Sequence, residues 1–285
     1  AHSVLRDGPG AAIPELSDEF KQRARLQWTD NPCGTHVASD LEFGTRAFFD
    51  RIEEARYRFS PWMKELVPFG SYKGRRVMEI GCGTGTDLIQ FARAGAIVTG
   101  LDLTPRSIEI ARKRFDIYGL PGEFLIGDAE NLAFPDESFD GVYSFGVLHH
   151  TPKTEKAVAE VYRILKPGAT ATIMLYHKHS LYYWGYVILN RGLLHGALAK
   201  EKPADIMSRV VEYPNTGRRP LVKVYTRTGV RKLFRQFETV SVNVRQLERY
   251  DLGLLGRLLP EPAFRSLEHN FGWNIIISAT KGARH

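Results

Sequence analysis

The stretch that decides the fold is Val77-Met78-Glu79-Ile80-Gly81-Cys82-Gly83-Thr84-Gly85, in which a short apolar run passes directly into three glycines. Residues 77–80 predict a buried strand, and residues 87–93, ended by Gly95, predict the helix that follows the glycines. Glycines permit a tight turn and a close approach to a ligand, and a helix N-terminus presents free amide groups. The stretch therefore predicts a strand, a ligand-binding loop and a helix.

The residues beyond this loop alternate short apolar runs with amphipathic segments, which is typical of successive βαβ units. Further strands are predicted at 96–101, 123–126, 139–145, 170–176, 240–244 and 273–279, and helices at 104–118, 155–165 and 228–237. Thr104 and Pro105 supply an N-cap and a first-turn proline for one of these helices, and Lys166-Pro167-Gly168 ends another. We therefore expect an α/β fold with a Rossmann-like, mostly parallel, seven-stranded sheet and helices on both of its faces.

Composition favours one large domain with elaborations, because 285 residues that are 43 % hydrophobic can bury a substantial core. The two cysteines, Cys33 and Cys82, are too few for a disulfide framework, so we expect a reducing, cytoplasmic location. Cys33 is predicted to be a buried, inert thiol in a tight turn. No targeting segment and no run of 18 apolar residues is found, so we expect neither secretion nor a membrane span.

Positive charge is concentrated in the last third of the chain. Residues 191–285 contain 17 basic and 8 acidic side chains, whereas residues 1–190 contain 22 basic and 24 acidic ones. Nucleic acid, an anionic membrane surface or an acidic substrate would each be attracted by such a field. The basic residues are scattered singly, however, and this favours an ordinary solvated face.

Carboxylates follow the predicted strands at regular places. Asp102 ends the second strand, 19 residues after Gly83, where it could accept hydrogen bonds from a ribose diol. Gly127-Asp128-Ala129-Glu130 follows the third strand, and Phe145-Gly146-Val147-Leu148-His149-His150 follows the fourth. The glycine triad is one residue tighter than a dinucleotide fingerprint, because position 86 is Thr86, and this argues against a nicotinamide oxidoreductase.

This set, in this order, resembles the class I S-adenosylmethionine-dependent methyltransferases of the small-molecule type often called type 11. The resemblance is close over residues 74–178. It implies S-adenosylmethionine as cofactor, S-adenosylhomocysteine as product, and no metal. It also implies the cofactor contacts, which fall on Glu79, Gly81, Cys82, Gly83, Gly85, Asp102, Leu103, Asp128, Ala129, Phe145 and Gly146. Among them, Glu79 would bind the amino group or orient the loop, Asp102 the ribose, and Asp128 with the Ala129 amide the adenine.

Several side chains near the predicted sheet edge are candidates for acceptor binding or proton transfer: His149, His150, Tyr176, His177 and, from the N-terminal region, Tyr57. His149 and His150 could instead only brace the loop above the cofactor. Adjacent histidines point in different directions, so a His-His metal pair is not expected.

Four regions follow from these patterns. Residues 1–70 form an N-terminal extension, flexible at 8–14, and a helical cap; residues 71–178 form the cofactor-binding core; residues 179–224 form an inserted lid or substrate cap; and residues 225–285 complete the sheet. In the cap, residues 26–35 are predicted to be a structured loop. Its helices are expected to share one apolar face, which comprises Leu41, Phe43, Ala47, Phe48, Ile52, Ala55 and Phe59. Residues 252–264 are predicted to be irregular.

The insertion carries Tyr182, Tyr183, Trp184 and Tyr186, which cannot all face one interior. It could close as a lid over an apolar acceptor, pack as plain core, or rest on a membrane surface beside Arg191, Lys200 and Lys202. We expect a methyltransferase for a small, hydrophobic or aromatic acceptor, with no nucleic-acid partner and with a homodimer left open. A methyltransferase for RNA or protein, and a non-catalytic scaffold, remain the alternatives.

Overall fold

The structure is a computed structural model that describes residues 18–211 and 219–283. Its centre is an eight-stranded sheet with the order β3-β2-β1-β4-β5-β8-β7 and a short β6 beside β5. The strands are β1 Arg76–Ile80, β2 Ile97–Asp102, β3 Glu123–Ile126, β4 Phe139–Phe145, β5 Leu165–His177, β6 Val224–Tyr225, β7 Thr239–Arg245 and β8 Asn274–Thr280. The Rossmann-like, mostly parallel sheet predicted from the sequence is confirmed.

The helices cover both faces of this sheet. They are α1 Glu19–Asp30, α2 Arg46–Phe59, α3 Met63–Leu66, α4 Leu88–Arg93, α5 Pro105–Tyr118, α6 Thr154–Ile164, α7 Pro203–Val210, α8 Arg227–Leu233, α9 Gly253–Leu258 and α10 Glu261–Phe271, with a π-helical segment at Tyr182–Leu194. As predicted, the Thr104 hydroxyl caps α5 and Pro105 occupies its first turn.

Two apolar clusters form the core of the sheet. Alternate β1 residues divide between them, because successive side chains of a strand point to opposite faces. Met78 packs with residues of α6 and α8, such as Val161 and Val230, whereas Val77 packs with residues of α4 and α5, such as Phe91. All five strands β1 to β5 run parallel, so their carboxyl ends meet at one edge of the sheet. Strand β7 is antiparallel to β8, which is antiparallel to β5, so β7 also ends at that edge.

Some element predictions were wrong in their bounds or type. The sheet has an eighth strand, because Val224, the last residue of the predicted insertion, and the next residue, Tyr225, pair in parallel with Tyr176 and His177. Helix α6 does end before Lys166-Pro167-Gly168, but β5 begins at Leu165 and includes these residues, since Leu165 already pairs with Phe139 before the register shifts. Helix α8 ends at Leu233 and not at 237. The apolar pattern predicted a longer helix because it continues through Phe234 and Phe237, which are buried although they lie outside the helix.

Two segments for which no helix was predicted are helical. The π-helical segment occupies much of the aromatic insertion, and α9 and α10 occupy most of residues 252–264. Pro260 precedes α10 and Pro262 lies in its first turn, where a missing N–H costs nothing.

The N-terminal cap also differs in detail from the prediction. Helix α1 continues to Asp30, so the first part of the predicted loop at 26–35 is helical. Phe48 and Ile52 are buried as expected. Phe43 and Phe59 are instead 40 % and 57 % exposed, because Phe43 precedes α2 and Phe59 is its last residue. The flexible segment predicted at 8–14 lies outside the described residues.

Candidate functional site

The glycine loop after β1 has the backbone geometry that only glycine adopts readily. Gly81, Gly83 and Gly85 have φ angles of 75°, 52° and 71°. A Cβ atom on Gly81 would lie 2.2 Å from a methyl group of Val147, so a side chain there would collide with the loop after β4. The nearest atom to a Cβ on Gly83 is Cβ of Cys33 at 4.0 Å, which leaves room above this part of the loop.

Asp102, at the carboxyl end of β2, holds the glycine loop in place. Its Oδ2 accepts a hydrogen bond from the Gly83 amide at 3.0 Å, and its Oδ1 accepts bonds from the amide and hydroxyl of Thr104, both at 2.9 Å. Burial raises the pKa of the Asp102 carboxyl, although these hydrogen bonds oppose the shift. Leu103 follows, half-buried. The loop and the tip of β2 are therefore one connected structure.

Glu79 is a buried carboxylate beneath the loop, and its Oε2 has no hydrogen-bond partner in the described part of the chain. Burial raises the pKa of Glu79 well above its usual value, and the negative charge of Asp87 raises it further, while Arg56 opposes the shift. An unsatisfied buried carboxylate costs free energy unless it meets a donor. Glu79 is therefore the group best placed to accept a hydrogen bond from a cationic ligand.

Arg56 of α2 reaches the same crevice and pairs with Asp87. Its Nη2 donates to Asp87 Oδ2 at 2.6 Å, and its guanidinium lies 3.8 Å from the centre of the Phe145 ring. Burial alone would lower the pKa of Arg56, but the charge of Asp87, the neighbouring Tyr143 and the hydrogen bond to Asp87 together raise it. Arg56 is therefore a fixed cation beside the glycine loop and beside the partly unsatisfied Glu79.

Asp87 also receives hydrogen bonds from the Tyr57 and Tyr143 hydroxyls, each at 3.0 Å. Burial raises the pKa of Tyr57, and the negative charge of Asp87 raises it further. The candidate residue Tyr57 thus lies beside the glycine loop, while the sequence analysis missed Arg56 and Asp87. The periodicity of α2 shows which residues share a helix face, but it does not show which distant acid they meet.

The loop after β3 is covered by α1. Lys21 Nζ donates to Asp128 Oδ2 and to Glu130 Oε2, both at 2.6 Å. Burial alone would lower the pKa of Lys21, but its hydrogen bonds to Asp128 and Glu130 outweigh it and raise the pKa. Glu130 Oε1 also accepts the Lys153 amide at 2.7 Å, and Ala129 between the two acids is buried. The carboxylate expected to read adenine is therefore ion-paired with the N-terminal cap, a contact that the sequence analysis missed.

His149, His150 and Tyr176 come together at the ends of β4 and β5. The ring centroid of His149 lies 3.9 Å from that of Tyr176 in a stacked arrangement and 4.3 Å from that of His150. The ring of Trp273, just before β8, stacks on the Tyr176 ring with centroids 4.4 Å apart and so extends this cluster. Neither ring nitrogen of His149 has a hydrogen-bond partner among the described residues, and burial lowers its pKa well below the usual value.

His150 and His177 are held by backbone carbonyls. The Nδ1 of His150 is 2.6 Å from the Leu221 carbonyl, and the Nδ1 of His177 is 3.0 Å from the Gly272 carbonyl. Because His177 follows Tyr176 on β5, its ring faces the other side of the sheet. The structure therefore brings three of the four candidates at this edge together and leaves His177 apart from them.

Phe145 and Gly146 join these groups. The Phe145 ring stacks on the Trp62 ring with centroids 6.0 Å apart, and it also stacks on the Arg56 guanidinium. Gly146 has a φ of 74°. A Cβ on Gly146 would contact Met174, which precedes Tyr176 by two residues on β5 and so shares its face. Phe145 and Gly146 thus connect the glycine loop with the histidine and tyrosine cluster.

The two cysteines have different surroundings. Cys82 is buried, and burial raises the pKa of its thiol well above the usual value. Cys33 was predicted to be buried, but it is exposed, because its turn lies at the mouth of the crevice above Gly83 and not in the core.

The insertion after β5 divides its aromatic side chains between inside and outside. Tyr183 is buried, whereas Trp184 and Tyr186 are 52 % and 40 % exposed. The expectation that these rings do not share one interior is confirmed. Tyr182 contacts Trp273 at 4.8 Å, so the insertion begins against the aromatic stack.

Neither metals nor a membrane span is indicated within residues 18–211 and 219–283. No three His, Cys, Asp or Glu side chains there are grouped so that they could hold a metal ion. None of the helices in these ranges has both the length and the apolar character needed to cross a bilayer.

Comparison with known proteins shows a match between residues 78–173 and a family described as a methyltransferase domain. A phthiotriol/phenolphthiotriol dimycocerosates methyltransferase of Mycobacterium leprae is 44 % identical over 97 residues, which are 33 % of this chain and 35 % of the relative. A fatty-acid O-methyltransferase of Mycolicibacterium smegmatis is 43 % identical over 98 residues, which are 34 % of this chain and 35 % of the relative. The chain thus spans about a third of the length of these curated relatives.

Among solved structures, a magnesium protoporphyrin IX methyltransferase of Synechocystis PCC 6803 with bound S-adenosylhomocysteine has a similar fold. The TM-score is 0.57 at 16 % identity, and the match covers 92 % of this chain and 100 % of that one. At this level of identity the likeness concerns the fold alone.

Proposed function

We propose that this chain is an enzyme that uses S-adenosylmethionine to methylate a small-molecule acceptor, since residues 78–173 match a family described as a methyltransferase domain. The observation that carries the proposal is the pair of groups at the glycine loop, a buried Glu79 oxygen that no described residue hydrogen-bonds and the fixed guanidinium of Arg56. A ligand with an amino acid end carries both an ammonium and a carboxylate. These two protein groups complement it in charge.

The other residues of the crevice also fit this cofactor. The glycine loop leaves space above Gly83, and Asp102 beside it can accept hydrogen bonds from a ribose diol. Asp128 and the Ala129 amide would read the adenine, and Lys21 would hold the Asp128 carboxylate in position. Cys82, Leu103 and Gly85 would also contact the cofactor, and the carbonyl of Phe145 or Gly146 would face the ammonium.

When bound, S-adenosylmethionine supplies a methyl carbon to an acceptor lone pair, the C–S electron pair stays on sulfur, and a protonated acceptor gives its proton to a base. His149 is suited to take that proton, because its buried imidazole is neutral and has a nitrogen lone pair that no described residue engages. His150 and Tyr176 orient the His149 ring by packing on it. Trp28 of α1, at 5.8 Å from the His150 ring, helps to exclude water from this end of the crevice.

We propose an acceptor with a hydrocarbon portion. The π-helical segment at this edge of the sheet exposes Leu189, Leu193 and Leu194, which are 51 %, 61 % and 72 % exposed. Exposed apolar side chains beside a crevice can contact an apolar ligand. The names of two relatives, a fatty-acid methyltransferase and a dimycocerosates methyltransferase, agree with this choice.

Calorimetric titration tests the cofactor assignment. We expect S-adenosylhomocysteine to bind and NAD not to bind, because the glycine spacing and the Glu79–Arg56 pair suit an amino acid end and not a pyrophosphate. Arg56→Ala should weaken S-adenosylhomocysteine binding about tenfold or more, since a charge-assisted hydrogen bond contributes about 1.5–3 kcal/mol. Arg58→Ala on the same helix, where the side chain is 76 % exposed, is the matched control. Tight binding of NAD without S-adenosylhomocysteine would overturn the proposal.

A further inference from the structure

Exposed apolar side chains are concentrated in two segments of the chain, which we call the outer segments. The first is the π-helical segment Tyr182–Leu194, and the second, Arg249–Leu258, comprises a 3-10 turn and α9. Nine of the fifteen large apolar or aromatic side chains that are exposed in the described part of the chain lie there: Trp184, Tyr186, Leu189, Leu193, Leu194, Tyr250, Leu254, Leu255 and Leu258. Single exposed leucines are common on protein surfaces, but a concentration of this kind marks an interaction surface.

The first outer segment is apolar on its exposed side as well as on its buried side. Tyr183 and Val187 are buried and pack in an apolar cluster with residues of α7. Leu193 and Leu194, on the exposed side, are 61 % and 72 % exposed. A helix that is apolar on all sides is normally covered on all sides. The exposed side of this segment is therefore suited to a further apolar partner.

The second outer segment is held in a fixed position with its leucines outside. Gly256 is buried, and a Cβ atom there would lie 2.0 Å from the Arg249 carbonyl oxygen, so α9 packs against the preceding turn through its backbone. The Arg249 guanidinium donates to the carbonyls of Gly256 at 2.7 Å and of Leu259 at 2.9 Å. Leu254 and Leu258 are both 73 % exposed. These contacts fix the backbone of α9 and leave the two leucines in water.

Both outer segments start at the same edge of the sheet, on either side of Trp273. The Trp273 carbonyl accepts a hydrogen bond from the His177 amide at 2.8 Å, and the Trp273 amide donates to the Gln246 carbonyl at 2.8 Å. His177 is the last residue of β5, and Gln246 directly follows β7. The first outer segment begins five residues after His177, and the second begins three residues after Gln246. A flat surface that approaches this edge can therefore meet both segments.

The charges in and beside the outer segments are mostly positive. Residues 182–202 and 249–258 contain five basic and two acidic side chains. Both acids are engaged within the protein, because Glu201 pairs with Arg209 at 3.3 Å and the Asp251 carboxylate caps its own turn. Two copies of this chain that met through this face would bring their positive charges together, whereas an anionic surface would be attracted.

From these observations we propose that the outer segments dock the protein on the surface of an anionic lipid bilayer. The exposed leucines enter the boundary between headgroups and acyl chains, as in helices that lie in the plane of a membrane. Aromatic rings that are apolar with a polar tip suit the headgroup level, and basic side chains suit lipid phosphates. The rings are those of Trp184, Tyr186 and Tyr250, and the exposed basic side chains are those of Lys200, Lys202 and Arg257.

This docking would turn the edge of the sheet that carries His149 and Tyr176 toward the membrane. An acceptor with a hydrocarbon portion dissolves in a bilayer, so the membrane would also supply the acceptor. Only this consequence rests on the proposed function, because the docking itself requires neither cofactor nor acceptor.

Cosedimentation of the full chain with lipid vesicles tests the docking directly. One set of vesicles contains phosphatidylcholine alone, and the other contains phosphatidylcholine with an equal part of phosphatidylglycerol. We expect the chain to bind the anionic vesicles about tenfold or more tightly than the neutral ones. Added salt should weaken this preference, since it screens the charges but not the apolar contacts.

Single substitutions assign the binding to the outer segments. Leu194→Asp and Leu254→Asp each remove an inserted apolar side chain and add a charge that an anionic surface repels, so each should weaken vesicle binding about tenfold or more. Ile97→Asp is the matched control, because Ile97 is 58 % exposed at the start of β2, on the opposite edge of the sheet. It should change vesicle binding less than about twofold. All three variants should keep the Tm, whereas a residue with a structural role would lower it.

A pair of charge reversals tests the electrostatic part. Lys200→Glu combined with Lys202→Glu should weaken binding to anionic vesicles about tenfold or more and leave binding to neutral vesicles within about twofold. Lys232→Glu combined with Arg235→Glu makes the same change of charge near the start of β7, at the opposite edge of the sheet. At physiological salt this second pair should have little effect, because charges on the far side are screened.

Several results would overturn the docking. They are the absence of binding to either kind of vesicle, unchanged binding in Leu194→Asp or in Leu254→Asp, and an equal loss of binding in Ile97→Asp. Analytical ultracentrifugation without lipid provides a further test. A dimer that Leu194→Asp or Leu254→Asp dissociates would assign this face to a second copy of the chain and overturn the proposal.

The proposed function is tested separately from the docking. The vesicle measurements contain no cofactor, and titration of S-adenosylhomocysteine contains no lipid. Loss of vesicle binding with normal S-adenosylhomocysteine binding would end the docking proposal alone, and the reverse result would end the proposed function alone.

Discussion

Glu79 occupies a position that is costly to the folded protein. Its pKa is raised well above the usual value of 4.5 by burial and by Asp87, despite the opposing charge of Arg56. Between the ordinary pKa and this raised one, the folded state binds more protons than the unfolded state, so stability falls as the pH rises. The ionised carboxylate is therefore a local destabilisation at neutral pH, which a cationic ligand group would relieve.

Replacement of Glu79 with Gln should exchange ligand affinity for stability. We expect Glu79→Gln to raise the Tm at pH 7–8, by about 2–4 °C for each kcal/mol gained, and to raise it less at pH 4, where the carboxyl is protonated in both states. Affinity for S-adenosylhomocysteine should fall about tenfold or more. Thermal unfolding across pH and calorimetry measure the two effects. Glu109→Gln, on an exposed helix face, is the control, and a lower Tm for Glu79→Gln at pH 7 would contradict the argument.

Helix α1 is the element that ties the N-terminal cap to the core. Lys21 bridges Asp128 and Glu130 near its start, with side chains that are 14 %, 19 % and 4 % exposed, and Trp28 packs near His150 close to its end. The helix is therefore attached across both the loop after β3 and the loop after β4. Without Lys21 the two acids, two residues apart, would repel each other in a partly buried place.

Lys21→Met should loosen α1 while leaving the sheet intact. We expect faster amide hydrogen exchange over residues 19–30 and a loss of about 1–3 kcal/mol in unfolding free energy, since a partly buried ion pair is broken. Arg23→Met, on the same helix at a side chain that is 45 % exposed, should change neither quantity appreciably. Equal exchange rates in the two variants would show that Lys21 does not hold the helix.

Over the whole molecule, Arg114 links three parts that are distant in sequence. It lies on α5 with no exposed surface, and it donates to the Thr86 hydroxyl at 2.6 Å, the Phe49 carbonyl at 3.2 Å and Glu53 at 2.9 Å. Burial lowers the pKa of Arg114, and the charge of Glu53 opposes this shift. The glycine loop and α2 are thus attached to one buried guanidinium.

Arg114→Met should therefore destabilise the whole chain. Breaking a buried ion pair costs about 3–5 kcal/mol, and here the Phe49 carbonyl and Thr86 hydroxyl also lose a donor. Urea unfolding followed by circular dichroism measures this loss. Lys113→Met, the exposed neighbour on α5, provides the comparison. A loss below about 1 kcal/mol would mean that other contacts hold the cap and loop together.

The sequence by itself determined the order and type of most sheet elements. Strands β3 and β4 have the predicted bounds, and α5 begins at the predicted cap, because these features depend on periodicity and on capping residues close in sequence. The glycine spacing likewise indicated a ligand-binding loop.

Only the tertiary structure decided which side chains meet around that loop. Lys21 and Asp128 are 107 residues apart, and Arg56 and Asp87 are 31 apart, so no local pattern links them. The π-helical segment was also missed, since its backbone hydrogen bonds do not follow the helical period that sequence patterns reveal. Local propensities specify elements, whereas partners across the fold depend on how the packed elements bring distant charges and rings together.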